Sequence, residues 1–374
     1  MGVSLFYFIA LVPIAIGALL WFLDKEIIWW EWLIGSAAAL LLAAIFHGVS
    51  IWGMTDDIET WSGYITRATH FPLWVEEYQE AHYVTHTDGK GHTYTTVYYT
   101  TEYRTHPEYW EAFTQYDDHE ISAGFFGEIC YNFSNLVTED GHKGGFYSGD
   151  PNVYVTYNKN GFIYPTTILR HWSNRVKVAP SVFSFVSVPT NIAVYAWPRN
   201  PDWRISQRLL GAAPALFDQL EFDRINSRLG ASKKMNLIFV GFGDKDSTYG
   251  QWQEAKWLGG KKNDLVVAFG GMTKNRPAAW VHVFGWSESF LAKRNIETLF
   301  MTYPASPQLM QLVENEVKAR YTIKDWSKFD YLTVEPPTWS YIVYFIVLIL
   351  TQGGLYFFFH TEELGDQPHC RCNY

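Results

Sequence analysis

Trp32-Leu-Ile-Gly-Ser-Ala-Ala-Ala-Leu-Leu-Leu-Ala-Ala-Ile-Phe-His-Gly-Val-Ser-Ile-Trp-Gly-Met-Thr55 carries no Asp, Glu, Lys or Arg. At 1.5 Å of rise per residue, a helix of this length exceeds the ~30 Å of a bilayer's hydrocarbon. Two further charge-free runs flank the chain, residues 3–23 and Trp339 to Phe359. Trp29, Trp30, Trp32 and Trp52 sit where an aromatic belt would lie, and Glu31 marks the entry to the second run. The first run has no basic leader and no small-x-small site before Asp24, so it reads as a span and not as a cleaved signal peptide. Three transmembrane helices are therefore expected, at about 3–23, 32–54 and 336–360, with a short tail at 361–374. That count puts the N-terminus and the long central segment on one face of the membrane. Arg67, Lys318, Arg320, Lys324 and Lys328 on the domain side, against Lys25 and Arg371 opposite, mildly favour a cytoplasmic domain. Long segments translocate largely regardless of charge, which makes the bias weak.

The rest of the composition narrows the function classes. The 374 residues carry a net charge of −9, a poor footprint for nucleic acid, which needs a basic stripe to displace phosphate counterions. Three cysteines build neither a disulfide framework nor a four-thiolate zinc site.

Between the apolar ends, two halves differ in period. Residues 56–197 are β-rich: His92 to Arg104 is a run of β-branched and aromatic residues after the turn signal Asp88-Gly89-Lys90-Gly91, which reads as a hairpin. Ser122 followed by Phe125, Phe126, Ile129 and Phe133 has helical spacing, and Gly149-Asp150-Pro151-Asn152 and Asn158-Lys159-Asn160-Gly161 punctuate later strands. One helix on an antiparallel sheet is expected. Residues 198–335 alternate helices and strands as an α/β sandwich. Its helices are placed at 214–229, 248–258, 287–300 and 306–321, and its strands at 235–241, 265–269 and 279–284. The fold class is α+β, with transmembrane helices flanking the two halves.

The order helix, strand ending Phe239-Val240-Gly241, helix ending Ala255-Lys256-Trp257, Gly-Gly-Lys-Lys-Asn-Asp loop, strand Leu265 to Phe269, then Trp280-Val281-His282-Val283-Phe284-Gly285 resembles a TPM domain. That resemblance implies one following transmembrane helix, an extracytoplasmic domain, and either acid phosphatase activity with bound calcium or an accessory role in a membrane complex. The wider layout, through Trp61-Ser62-Gly63, Gly149-Asp150-Pro151-Asn152, Trp172 to Lys177, Ala179-Pro180-Ser181 and the stretch Lys256 to Asp264, is similar to membrane proteins of unassigned function encoded by tailed bacteriophages and some bacteria.

Candidate sites follow from the residues. Gly241-Phe242-Gly243-Asp244-Lys245-Asp246 sits where a phosphate loop would, yet lacks the third glycine, and its carboxylates would repel an anion. Asp244 and Asp246 can cap the next helix or bind a hard cation such as calcium. Asp264, at the foot of the next strand, is expected to join Asp244 at one sheet edge. In TPM domains acidic residues of these loops are implicated in the metal site, but the turn Thr273 to Arg276 lacks the acidic pair common there. His82, His86 and His92 can converge on a hairpin to bind zinc, against the plainer reading of a solvated face. His119-Glu120 lacks the second histidine of a zinc-protease helix, and Ser287 reads as a helix cap, since its motif lacks the second glycine of a nucleophile elbow.

No catalytic constellation is intact, so the leading expectation is a membrane-anchored, non-enzymatic interaction or assembly module. Its partners would be the lipid bilayer, other membrane proteins and, as an option, a second copy of the chain. A metal-assisted phosphatase using Asp244, Asp246 and Asp264 is the second expectation. A channel-like component is the third, disfavoured because Glu31 and His47 are the only polar candidates in the spans.

Overall fold

The computed structural model describes residues 4–23, 29–141, 151–179, 185–199, 202–204 and 206–361. Gly149 and Asp150, Pro180 and Ser181, and the tail cysteines lie outside the described residues. Eight α-helices and three sheets are present among those described. The chain forms two compact units, one of Met1–Ile58, His171–Phe185 and Asp325–Tyr374, the other of Glu59–Arg170 and Val186–Lys324.

The first unit holds α1 (Leu5–Leu23), α2 (Trp29–Thr55) and α8 (Thr338–Thr361). Two of these, α2 and α8, are long and apolar enough to cross a membrane, not the three expected. In α1 the apolar stretch counted among the described residues is Leu5–Leu19. The three helices pack around Phe6, Ala10, Ala39, Ala43, Tyr344 and Leu348. Small residues on α2 form the seam. Gln352 donates to the Gly35 carbonyl at 3.0 Å, and the Tyr344 hydroxyl reaches the Ala39 carbonyl at 3.4 Å. Trp32 closes the other side by donating to the Ile14 carbonyl at 3.0 Å. Outward, Leu33, Leu41, Val49 and Trp52 of α2 and Ile342, Phe345, Ile349 and Leu350 of α8 are exposed.

The second unit contains most of both central halves. A six-stranded sheet has the order β5-β4-β1-β7-β6, with β8 also on β1. Its strands are β1 (Asp56–Phe71), β4 (Tyr109–Thr114), β5 (Asp118–Ile121), β6 (Val137–Glu139), β7 (Val153–Tyr157) and β8 (Pro165–Ser173). Helix α3 (Ala123–Phe133) starts where Ser122 accepts the Phe125 N–H at 3.2 Å, and buries Phe126, Ile129 and Phe133 against Ile65, Ala68 and Ala112 of the sheet. The expected hairpin is β2 (Trp74–Thr87) paired antiparallel with β3 (Thr93–His106), a separate two-stranded sheet. Asp88 shapes its turn by accepting the N–H groups of Lys90 and His92.

The α/β half is a four-stranded sheet, β9 (Leu209–Gly211), β10 (Asn236–Gly241), β11 (Asp264–Gly270) and β12 (Trp280–Phe284), in the order β12-β11-β10-β9. The first three strands are parallel and β12 is antiparallel. Every residue of β10 and β11 is buried, as a parallel sheet covered on both faces requires. Leu237, Phe239, Leu265, Val267 and Phe269 face a core shared with α4 (Gln219–Lys233), α6 (Phe290–Thr302) and α7 (Pro307–Arg320). Ile238, Val240, Val266 and Ala268 face Tyr195, Trp197, Trp257 and the Tyr249 of α5 (Thr248–Lys256). Helix α4 begins later than the spacing suggests. Pro214 sits in a 3-10 turn, and Asp218 is the cap that accepts the Glu221 N–H at 2.7 Å.

Candidate metal sites and a buried polar network

Asp264 opens β11 and is fully buried. Its carboxylate accepts three hydrogen bonds, from Asn236 Nδ2, Trp197 Nε1 and the Lys261 backbone N–H, each 2.8 Å long. Burial raises its pKa, and these three donors work against the rise. Asn236, the neighbour in parallel register, also accepts from Arg208 Nη1 at 3.2 Å.

Arg208 is the largest fully buried side chain among the described residues. It donates to Ser62 across from the other sheet and to Ser206 at 2.6 Å, and lies 3.8 Å from Asp223. Burial brings its pKa down to about 10, opposed by Asp223 and Asp264, while burial raises that of Asp223. Both members of the pair are thus pushed toward neutrality, the mark of an ion pair whose desolvation outweighs its attraction. The Tyr321 hydroxyl, its pKa raised by burial and by Asp264 and Glu59, points at the Asn263 carbonyl at 3.4 Å. Charges and amides here join the base of the α/β sheet to the Ser62 region of β1. Apart from Asp264, no sequence pattern marks these residues, since a lone arginine before Leu209-Leu210-Gly211 has no motif around it.

The expected union of Asp244 with Asp264 does not occur. Parallel strands pair Asn236 with Asp264 and Gly241 with Phe269, so Asp264 lies at the start of its strand and Asp244 lies beyond the far end of β10. Five residue steps at ~3.3 Å place the two carboxylates on the order of 16 Å apart or more, beyond any shared ion. Asp244 and Asp246 are exposed. Asp246 accepts the Thr248 N–H at 2.8 Å at the start of α5, and hydrogen bonds from Thr248 hold its pKa below the usual range. It thereby satisfies a free N–H of the first turn from one residue ahead of the N-cap position, Ser247. Gly241 is explained by packing, since a Cβ there would sit 2.7 Å from the Ala213 nitrogen.

His82, His86 and His92 are spread along the ribbon. His82 bonds Thr100 at 2.7 Å and stacks on Tyr98, and His86 repeats the arrangement with Thr96 at 2.8 Å and Tyr94. Four residues along a strand separate their Cα atoms by about 13 Å. His92 instead approaches Asp88 at 3.2 Å in the turn. Among the described residues no group of three or more His, Cys, Asp or Glu is placed to hold a metal ion. Ser287 is not the cap of α6. That position belongs to Ser289, whose hydroxyl is held by the Thr322 N–H at 2.6 Å, and the Ser287 hydroxyl is buried without a hydrogen-bond partner.

His282 and Glu254 form a half-buried pair at 2.7 Å joining β12 to α5. No family profile matches the chain, and neither a curated protein nor a solved structure matches it.

Proposed function

We propose that the chain is a membrane-anchored, non-enzymatic interaction or assembly module of an envelope membrane, encoded by a bacteriophage or a bacterium. The reading places it in a bacterial inner or host-cell membrane, with the TPM-like domain outside the cytoplasm. One observation carries it. On α2 and α8 most large apolar side chains face outward, while Ala39, Ala43, Tyr344 and Leu348 face inward, the reverse of a soluble core helix. The non-enzymatic part rests on Asp264 being saturated by three protein donors and on Asp246 being engaged by the first turn of α5.

Membrane fractionation tests the anchor: the full chain is expected to stay in the pellet after an alkaline carbonate wash, and release into the supernatant would refute it. Hydrolysis of a generic phosphomonoester with calcium tests the enzyme question. Turnover abolished by combined Asp244→Ala, Asp246→Ala and Asp264→Ala would replace this reading with the metal-assisted phosphatase.

A further inference from the structure

The ribbon of β2 and β3 is long and nearly bare. Fourteen residues on each strand are paired in register from Trp74–His106 to Thr87–Thr93, roughly 45 Å of sheet at ~3.3 Å per residue. Beyond His82 every residue of β2 is exposed, as are all those of β3 except Thr100 and His106. Tyr83, Tyr99 and Tyr103 are each more than 60% exposed on one face, and Tyr94 and Tyr98 more than 50% on the other. Two strands alone are marginal in water, and a third or fourth strand is what ordinarily makes such a sheet stable.

The two edges of the ribbon differ. β2 carries Glu76, Glu77, Glu80, His82 and His86, charge of the kind that defends an edge. β3 runs Thr93-Tyr-Thr-Thr-Val-Tyr-Tyr-Thr-Thr101 with no charge, proline or glycine, in residues of the highest strand preference. Among the described residues β3 has β2 as its single neighbour in the sheet, so its other edge presents unpaired backbone groups.

We propose that this edge of β3 binds the same edge of a second copy of the chain, antiparallel about a two-fold axis through Val97, to give the four-stranded sheet β2-β3-β3-β2. The proposal names a partner for the assembly module and rests on that reading. Self-complementarity singles out a second copy. Centring the pair on Val97 sets Val97 on Val97, Thr96 against Tyr98, Thr95 against Tyr99, Tyr94 against Thr100 and Thr93 against Thr101, so that every tyrosine meets a β-branched threonine. At each end His92 then faces Glu102, a donor opposite an acceptor, made twice by the symmetry. Pairing stops there, because two steps further Lys90 in the turn would oppose Arg104. With a net charge of −9, two copies repel on average, and the uncharged strand is where they approach at least cost.

The test uses full-length chain in detergent with Cys130, Cys370 and Cys372 changed to Ser. Val97→Cys puts two thiols on the axis at the ~4.5–5.5 Å Cα spacing of paired strands, within disulfide reach. Tyr83→Cys, on the same face of β2, would lie about three strand spacings from its symmetry mate, roughly 14 Å away. Mild oxidation is expected to convert most of the Val97→Cys chain to a covalent dimer and to leave Tyr83→Cys monomeric. Val97→Lys, which sets two ammonium groups face to face, is expected to lower the dimer fraction in light scattering about tenfold. Equal cross-linking at both positions, none at Val97→Cys, or a Val97→Lys chain of unchanged mass would overturn the proposal. Membrane retention after carbonate washing is measured on the same chains. A retained but monomeric chain sinks the edge pairing alone, and a released but cross-linking chain sinks the anchor alone.

Discussion

Replacing Asp264 by Ala is the sharpest probe of whether its carboxylate serves the fold or an ion. The substitution strands three donors. Asn236 is 1% exposed and cannot recruit water, so its loss is worth about 1–3 kcal/mol. Trp197 and Lys261 are only partly buried and can be resolvated, which reduces each to about 0.5–1.5 kcal/mol. Relief of the buried carboxylate's own desolvation offsets part of the sum, leaving a net loss of about 3 kcal/mol, a large share of the ~5–15 kcal/mol available to a domain. Urea unfolding of the detergent-solubilised chain, with hydrogen exchange of the β10 and β11 amides read in parallel, is expected to show the midpoint falling by about 1 M. Because burial raises the folded pKa of Asp264, its stabilising contribution is fullest below the unfolded carboxylate range and is lost as pH rises through the folded value. The gap between parent and variant should therefore narrow from acid to neutral pH. Saturating calcium should move neither midpoint. An Ala variant within about 0.5 kcal/mol of the parent, or calcium stabilising the parent alone, would refute the structural role.

Three further outcomes are expected. Gly35→Leu with Ala39→Leu should lower the thermal midpoint of the detergent-solubilised chain by an overpacking cost of about 1–3 kcal/mol per site, since Gly35 faces Gln352 and Ala39 is fully buried in the helix seam; an unchanged midpoint would mean the seam does not hold the helices. Arg228→Ala removes a bidentate clamp at 2.6 and 2.8 Å from Glu314, which is 1% exposed, and should cost about 2 kcal/mol with Lys318 left as a partial substitute. Burial pushes the Glu314 carboxyl up, but hydrogen bonds from Arg228 and Lys318 outweigh it and hold its pKa low. The clamp thus stabilises above the unfolded carboxylate range and is lost as pH falls through the folded value, so acid titration should show a flatter limb in the variant. With α1 antiparallel to α2, Phe6 beside Phe46 and Trp21 beside Trp32, single thiols at Ser4 and Gly89 should label from the same face of the membrane, and labelling from opposite faces would refute that packing.

Legibility in the sequence tracked how local the signal was. The hairpin was plain because Asp88 and the glycines of its turn act within four residues, and α3 because Ser122 stands three residues ahead of the N–H it caps. Three-residue β9 gave no period to detect. Reading α4 from Pro214 overlooked that a proline followed by Asp218 four residues on marks a turn and then a cap. Misplacing Asp264 beside Asp244 was an error of direction. A strand, helix and strand in succession make a parallel crossover, so the foot of β11 had to lie beside the foot of β10, at Asn236. The Arg208 network joins residues up to 146 positions apart, and no local pattern foretells it.

The seam between α2 and α8 sets the order of events during synthesis. The Tyr344 hydroxyl meets a carbonyl 305 residues earlier in the chain, and Gln352 one 317 residues earlier. At ~5–20 residues per second, a ribosome needs roughly 15–60 s to make the intervening segment. Through that interval α2 stands with the Gly35 and Ala39 face uncovered, and the large unit is complete before α8 emerges. In the membrane-anchored protein proposed above, a nascent chain stalled before Thr338 is thus the state in which lipid or another membrane helix competes for the α2 face.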